Sequence, residues 1–180
     1  MSDVEICRWD QLASSPERDR LSGDIDHVFF SSSLRQSFDS ADDRATFRER
    51  WLGRYLKHFP HLAWVARDAT QRVVGYLVGS LDDPARDPLF SDLPFFAHFR
   101  TLTPRYPAQL HVNLDAEWRG RGIGARLIDA FAAQARAAGA PGVHVVTSRG
   151  PRNFYLANGF MERGALKNDD VELLFLGREL

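Results

Sequence analysis

A run of glycines set between a strand pattern and a helix pattern constrains the fold of this chain more than any other feature. The strand pattern covers residues 109–115 and has apolar side chains at alternate positions, Leu110, Val112 and Leu114. Three glycines follow, also at alternate positions, Gly120, Gly122 and Gly124. Apolar residues then recur at helical spacing until Gly139 and Pro141 end the helix. Because glycine disfavours a helix, three of them at its start indicate that another group approaches the backbone there.

The glycine turn predicts an anion-binding site. The first N–H groups of a helix have no partner inside the helix, and the helix dipole favours negative charge at this end. Glycine lets an anion approach without meeting a Cβ atom, and Arg119 and Arg121 can add charge-assisted hydrogen bonds. The alternative is a plain tight turn with two solvated arginines. The position of the glycines between an apolar strand and an apolar helix favours the anion site.

Two common phosphate-binding loops do not match this turn. A Walker loop ends in Gly-Lys-Ser/Thr, whereas Gly124 is followed here by Ala125 and Arg126. A dinucleotide fingerprint has the spacing G-x-G-x-x-G, whereas the glycines here are spaced G-x-G-x-G. The pattern that does match is R-x-x-G-x-G, from Arg119 to Gly124. A nucleotide-binding protein of another class is therefore disfavoured.

That pattern resembles the acyl-CoA pyrophosphate loop of the GNAT acetyltransferase superfamily. The segment LHVNLDAEWRGRGIGARLI is similar to motif A of that family, and NFYLANGF, from Asn153 to Phe160, is similar to its motif B, Tyr-x-x-x-Gly-Phe. The resemblance covers residues 62–81 and 109–176. Within the superfamily, GYLVGSLD, YPAQLHVNLDAEW and LFLGREL look most like the acetyltransferase-like C-terminal domain of animal O-GlcNAcases and its stand-alone bacterial relatives.

The patterns and the resemblance together imply an α+β fold of the GNAT type. The expected core is a central mixed, mostly antiparallel sheet with splayed strands, flanked by helices. We expect a single domain over residues 1–180, with an N-terminal helical region at 1–60 and the acyl-CoA-binding motifs at 109–160. Two apolar runs, at 62–66 and 73–81, are separated by a polar turn and predict a β-hairpin.

Two segments outside these motifs are rich in aromatic residues. Four aromatic residues recur every four positions before Pro60 and predict an apolar helical stripe, namely Phe47, Trp51, Tyr55 and Phe59. The connection 82–108 contains five prolines and several aromatic residues. A connection of that length is either an acceptor-side loop or a structural excursion with a short helix near 94–100. Its composition suggests a covered, partly apolar acceptor pocket.

The resemblance implies that acetyl-CoA binds along the motifs. Leu114 falls where the family's main chain meets the pantetheine arm, and the backbone from Arg119 to Ala125 would hold the pyrophosphate. Ser148 stands where many relatives have a cofactor-contacting Asn. The implied cofactor-binding residues are Leu114, Arg119, Gly120, Arg121, Gly122, Ile123, Gly124, Ala125, Ser148, Asn153 and Tyr155. Arg149 or Arg152 either reaches the 3′-phosphate or is solvated.

The resemblance also implies catalytic positions. Tyr155 matches the family's general acid, because a phenol stays protonated at neutral pH and can donate to a thiolate. Three side chains around the end of the first strand are candidates for the base position, His111, Asn113 and Asp115. Asn113 cannot act as a base, and Asp115 either acts as one or caps the following turn. His111, and His144 on the partner strand, are either bases or structural residues.

Composition narrows the function classes. The formal net charge of −1 argues against a general nucleic-acid binder. The chain contains one cysteine, Cys7, which fits a cytoplasmic protein. Its sequence shows neither a visible signal peptide nor an apolar run long enough for a membrane span. No metal ligand is predicted, and a monomer or a homodimer is expected.

The predicted function is an acetyl-CoA-dependent N-acetyltransferase that transfers an acetyl group to an unidentified amine by direct attack on the thioester. The alternative is a binding module of GNAT fold that holds acetyl-CoA without transferring it, since a GNAT fold can persist without transferase activity.

Overall fold

The computed structural model describes residues 4–12, 15–167 and 172–180. The strands are β1 Glu5–Arg8, β2 Trp64–Arg67, β3 Val73–Ser80, β4 Ala108–Leu114, β5 Gly142–Thr147, β6 Met161–Lys167 and β7 Glu172–Glu179. The α-helices are α1 Ser15–Ser32, α2 Ala41–Arg48, α3 Arg54–His58, α4 Phe95–His98, α5 Ile123–Ala137 and α6 Arg152–Ala157. Residues 168–171, which fall within the segment 109–176 covered by the resemblance, lie outside the described residues.

Seven strands form one sheet in the order β1-β2-β3-β4-β5-β7-β6. The pairs β1–β2, β2–β3, β5–β7 and β6–β7 are antiparallel, whereas β4 and β5 are parallel. The parallel pair joins Ala108 to Val143 and Gln109 to His144, at the beginning of β4. The predicted α+β class with a mixed, mostly antiparallel sheet is therefore confirmed.

The chain divides into two compact units. The first contains Met1–Gly79 and Val112–Phe131, and the second contains Ser80–His111 and Ala132–Leu180. The boundary falls inside β3, β4 and α5, so each of these three elements contributes residues to both units. The expectation of a single domain stays a prediction.

The first unit contains the N-terminal helices and the predicted hairpin. The hairpin is formed by β2 and β3, and every residue of β3 is buried. Its turn is closed by the carboxylate of Asp68, which accepts hydrogen bonds from the N–H groups of Thr70 at 2.8 Å and Arg72 at 3.1 Å. These side-chain bonds hold a turn in which Gln71 has a φ of 65°, in the left-handed region.

The predicted aromatic stripe is interrupted by a π-helical turn, Glu49–Gly53, which separates α2 from α3. A π turn contains more residues than an α turn and therefore rotates the buried face. Tyr55, which follows this turn in α3, is fully buried, whereas Phe47 and Trp51 are half-buried. The turn also brings the Glu49 carboxylate against Gly53, where a Cβ atom would lie 2.1 Å from Oε2.

In the second unit, the connection 82–108 forms part of the core. Its short helix is α4, close to the predicted position, and its buried aromatic residues are Phe90, Phe95, Phe96, Phe99 and Tyr106. The Tyr106 ring packs on two glycines, since a Cβ atom at Gly142 or Gly177 would lie within 3.0 Å of it. These aromatic residues fill a core, so the composition of the segment is explained without an acceptor pocket.

His144 is a structural residue of this core. Its side chain is completely buried, and its ring stacks on Phe175 with centroids 4.5 Å apart. Its Nδ1 hydrogen-bonds the main-chain carbonyl of Tyr106. Burial lowers the pKa of His144 to about 4, and the nearby charge of His111 acts in the same direction. Of the two sequence-based alternatives for His144, the structural one is therefore supported.

The buried imidazole predicts a loss of stability in mild acid. The unfolded chain binds a proton at His144 near the usual pKa of about 6.5, whereas the folded chain resists protonation until about pH 4. Stability contributed by this group is therefore present above pH 6.5 and is lost as the pH falls from there towards 4. From pH 7 to pH 5 the loss amounts to about 2 kcal/mol.

Urea unfolding of the wild type and of His144→Asn at pH 7 and pH 5 checks this prediction. The substituted amide keeps a group able to bond the Tyr106 carbonyl but does not titrate, so we expect its free energy of unfolding to change less between the two pH values. Equal changes in the two proteins would contradict the prediction.

Candidate functional site

The carboxyl end of β4 is held in place by main-chain hydrogen bonds. The carbonyl oxygen of Leu114 accepts from Ser32 Oγ at 3.2 Å and from Arg119 Nε at 3.2 Å. The next N–H group, that of Asp115, donates to the Val74 carbonyl of β3 at 2.9 Å. The end of α1, the end of β4 and the glycine turn are thereby joined within the first unit.

Gly75 on β3 leaves room for the Leu114 side chain. A Cβ atom at Gly75 would lie 2.3 Å from Leu114 Cδ2 and 3.2 Å from the Asn113 carbonyl oxygen. A larger residue at this position would push the strand end away from β3. The position of Leu114, where the pantetheine arm is expected, therefore depends on this glycine.

Asn113 is committed to a buried hydrogen bond. Its Nδ2 donates to the hydroxyl oxygen of Tyr76 at 2.8 Å. Tyr76 is almost completely buried, and burial raises the pKa of its hydroxyl above the usual range. Nearby, the carboxylate of Asp26 is bound by the Arg48 guanidinium at 2.7 Å, and both charges act on the Tyr76 phenol. Asn113 thus connects β4 to β3, which the sequence did not reveal.

Asp115 does not cap the turn with its side chain, which corrects the capping interpretation. It is the residue before the 3-10 turn Ala116–Trp118, but its carboxylate accepts no capping hydrogen bond. The carboxylate instead lies 3.7 Å from Arg72 Nη2. Its main-chain carbonyl begins the turn by accepting from the Trp118 N–H at 2.9 Å. Arg72 lies directly before β3, and Asp115 lies directly after β4, where its N–H donates to the Val74 carbonyl of β3. The two side chains are therefore close enough to form the ion pair.

The glycine turn has the geometry expected of an anion cradle. Gly120 and Gly122 have φ values of +73° and +75°, and no atom lies within 4 Å of the positions where their Cβ atoms would be. The first N–H group of α5 that donates to a carbonyl of the glycine turn is that of Arg126, which bonds the Gly122 carbonyl at 3.2 Å. The N–H groups just before Arg126 therefore have no acceptor inside α5.

The side chains around this turn have separate tasks. Arg119 reaches back to the end of β4 and also approaches Ser32 Oγ at 3.4 Å, whereas Arg121 lies over the Trp118 ring at 4.9 Å. Ile123 is buried and anchors the start of α5, whose Gly124 and Ala125 follow directly. Arg126 ties the helix to the N-terminal segment through the Val4 carbonyl at 2.8 Å.

Tyr155 lies on α6 in the second unit. Its ring is 4 % exposed and meets Phe154 and Phe160 edge-on, at 5.1 and 5.5 Å. Burial raises the pKa of its hydroxyl above the usual range, so the phenol keeps its proton at neutral pH. Among the described residues the hydroxyl forms no hydrogen bond. The group is therefore available as a proton donor.

The other predicted residues of the second unit lie around the same helix and on β4. Ser148 is half-buried in the turn after β5, and Asn153 is exposed on α6. Arg149 forms an ion pair with Glu172, and Arg152 donates to Glu162 at 2.8 Å. The two arginines are thus engaged by glutamates, which weakens their assignment to a 3′-phosphate. His111 is half-buried on β4.

The family model for the acetyltransferase (GNAT) domain matches residues 60–162 of the chain. The chain belongs to the GNAT family. The match includes the glycine turn and α6, so the predicted family and its acetyl donor, acetyl-CoA, are confirmed.

Solved structures of similar fold include a polyamine N-acetyltransferase and a complex bound to a peptide and CoA. A crystal structure of SsHAT has 22 % identity and a TM-score of 0.73, with 98 % of each chain covered. The polyamine N-acetyltransferase of Drosophila melanogaster has 16 % identity and a TM-score of 0.67, covering 99 % of this chain and 100 % of its own. The NatC complex bound to Gag peptide and CoA has 14 % identity and a TM-score of 0.65, with 99 % of each chain covered. At these identities the likeness concerns the GNAT fold alone.

Sequence analysis missed the residues that hold this GNAT strand end from a distance. Ser32 reaches Leu114 across 82 positions, and Tyr76 meets Asn113 across 37. No described helix is long and apolar enough to cross a membrane, and no described cluster of His, Cys, Asp and Glu could hold a metal ion.

The glycine turn predicts a selective loss of cofactor affinity in Gly122→Ala. The new Cβ would project into the open cradle, and the left-handed φ would cost about 1 kcal/mol of stability. We expect the affinity for CoA, measured by calorimetry, to fall about tenfold or more.

Gly139→Ala is the matched control, because Gly139 has a φ of +85° and equally open surroundings at the other end of α5. It should lose similar stability and retain CoA affinity. An equal loss of affinity in both variants would assign the effect to strain in general rather than to the cradle.

Proposed function

We propose that the protein is an acetyl-CoA-dependent N-acetyltransferase that transfers the acetyl group to an amine by direct attack on the thioester. The observation that carries the proposal is the open glycine cradle at the start of α5, formed by Gly120 and Gly122, in a chain of the GNAT family. Acetyl-CoA supplies the acetyl group in an activated thioester. The residues of the chain bind it, orient it and manage the protons.

The main chain from Arg119 to Ala125 would bind the pyrophosphate. The N–H groups before Arg126 lack acceptors inside α5, and the dipole of this fifteen-residue helix favours an anion at its start. Arg121 adds a positive charge at the turn. Arg119 also contributes charge, while two of its nitrogens remain bonded to the end of α1 and the end of β4. Ser148 and Asn153 are further proposed contacts.

Leu114 would align the pantetheine arm. Its carbonyl oxygen is already fixed by Ser32 and Arg119, and its side chain is seated on Gly75. A strand end held by three separate elements needs little reorganisation when a ligand pairs with it. Preorganisation of this kind supports both binding and correct placement of the reacting carbonyl.

Tyr155 would donate the proton that the departing thiolate needs. Burial keeps its hydroxyl protonated at neutral pH, and the hydroxyl forms no hydrogen bond among the described residues that would compete for that proton. The attacking amine must lose a proton, and His111 and Asp115 are the proposed acceptors of it, directly or through water. Asn113 contributes position only, because its amide is bonded to Tyr76.

A second candidate function is a GNAT binding module that holds acetyl-CoA without transferring it. The bond between Asn113 and Tyr76 favours this candidate, because it puts a neutral amide where a carboxylate would serve as a base. The similarity of several segments to the O-GlcNAcase-associated domains supports it further. We also infer a cytoplasmic location from the single cysteine.

Tyr155→Phe separates the two candidates. If the protein transfers acetyl groups, removing this hydroxyl deprives the thiolate of its donor and lowers turnover about tenfold or more while CoA affinity is unchanged. The measurement is release of free CoA thiol over a panel of amines, together with calorimetric CoA binding.

Tyr106→Phe is the control, because it removes a buried hydroxyl that has no hydrogen-bond partner among the described residues. Its turnover should match that of the wild type. Wild-type protein that binds acetyl-CoA but releases no thiol above background on any amine would support the binding module and refute the transferase.

A further inference from the structure

A cavity of about 470 Å³ lies within the first unit, between α1 and the segment 35–44. One face of α1 forms its wall, with residues at the spacing i, i+3, i+4, i+7 and i+8, namely Gly23, Asp26, His27, Phe30 and Ser31. The opposite wall includes Arg35, Phe38 and Arg44. Its volume is in the range of small-molecule sites.

The charged groups of this cavity leave one cation uncompensated. Asp26 is paired with Arg48, which contacts Oδ1 at 2.7 Å. Arg35 is paired with Asp43 through two parallel hydrogen bonds, one of them 2.9 Å long. Arg44 forms no ion pair with any carboxylate of the described residues. An anion that entered the cavity would therefore meet one available guanidinium.

Arg44 is held in a defined position by an aromatic ring. Its Cζ lies 3.4 Å from the centroid of the Phe30 ring, so the guanidinium stacks on the ring face. Stacking occupies the face of the guanidinium and leaves its N–H edge free for a carboxylate, which it binds in a bidentate manner. Phe38 meets Phe30 edge-on at 5.7 Å, and Arg35 lies over the Phe38 ring at 4.7 Å, so the ring edges provide the apolar surface beside Arg44.

Asp26 supplies a second polar contact within the same cavity. Both contacting nitrogens of Arg48 approach the same oxygen, Oδ1, so Oδ2 is left for a positively charged group. The same helix, α1, contributes residues both to the cavity and to the anchoring of the candidate active site. Ser31 lines the cavity, and the next residue, Ser32, donates to the Leu114 carbonyl.

We propose that this cavity binds the acceptor, an amine that also carries a carboxylate and an apolar body. Arg44 binds the carboxylate, the rings of Phe30 and Phe38 contact the apolar body, and Asp26 Oδ2 accepts from the amine before it is acetylated. Acetylation of the bound amine rests on the proposed transferase function, whereas binding of the carboxylate by Arg44 does not depend on that function.

Three related probes separate these contacts. L-Phenylalanine contains the phenyl, amine and carboxylate groups, 3-phenylpropionate lacks the amine, and phenethylamine lacks the carboxylate. Binding is titrated by calorimetry without acetyl-CoA, and thiol release with acetyl-CoA is measured separately for the two amines.

We expect Arg44→Gln to weaken the binding of L-phenylalanine and 3-phenylpropionate about tenfold or more and to leave phenethylamine within about twofold. Arg44→Lys should restore part of the loss, because it keeps the charge without the bidentate edge. Arg18→Gln is the matched control, since Arg18 also lies over an aromatic ring, that of Trp9 at 5.4 Å, but does not line the cavity.

Two results would overturn the proposal: no binding of 3-phenylpropionate up to about 10 mM, or binding that Arg44→Gln leaves unchanged. If other amines are acetylated in that case, the transferase function stands without this pocket. If 3-phenylpropionate binds through Arg44 but no amine is acetylated, the carboxylate site stands and the transferase function fails.

Discussion

The anchoring of the β4 end is the constraint on which the candidate site depends. The Leu114 carbonyl is fixed by Ser32 and Arg119, and the following N–H is bonded to β3. Each bond alone contributes about 1 kcal/mol, but together they join α1, β3, β4 and the glycine turn at one point. Displacement of any of these elements would therefore move the position where the pantetheine arm is expected. Gly75 permits the arrangement, because a side chain there would collide with Leu114.

Local patterns predicted the parts of the fold that depend on neighbouring residues. The hairpin, the glycine turn and α5 follow from hydrophobic periodicity and from the positions of glycines, because turn geometry and helix caps are set by a few adjacent residues. The π turn at Glu49–Gly53 could not be predicted in this way. The π turn depends on how the helix packs. Aromatic residues at every fourth position are equally compatible with a continuous α-helix and with a helix that a π turn interrupts.

The polar contacts of the site were beyond prediction for a related reason. No residue near Asn113 in the sequence indicates that its side chain will bond Tyr76. Asp115 forms its ion pair with Arg72 because β3 and β4 are adjacent in the sheet. The connection 82–108 shows the same limit for apolar residues. Its aromatic content is equally compatible with an acceptor wall and with a core, and only the packing of Tyr106 on Gly142 and Gly177 identifies the core.

Asn113 and the cavity along α1 bear on the same chemical question. An amine that arrives protonated must lose a proton to a base before it can attack, and an acceptor with a carboxylate would be held by Arg44 before its amine reacts. Asp26 lies on the cavity face of α1, and its charge also acts on Tyr76, the partner of Asn113. A carboxylate at this position can hold an ammonium group and later accept its proton, a task that Asn113 cannot perform. A neutral amide at this position of β4 is thus compatible with transfer if α1 supplies the carboxylate instead.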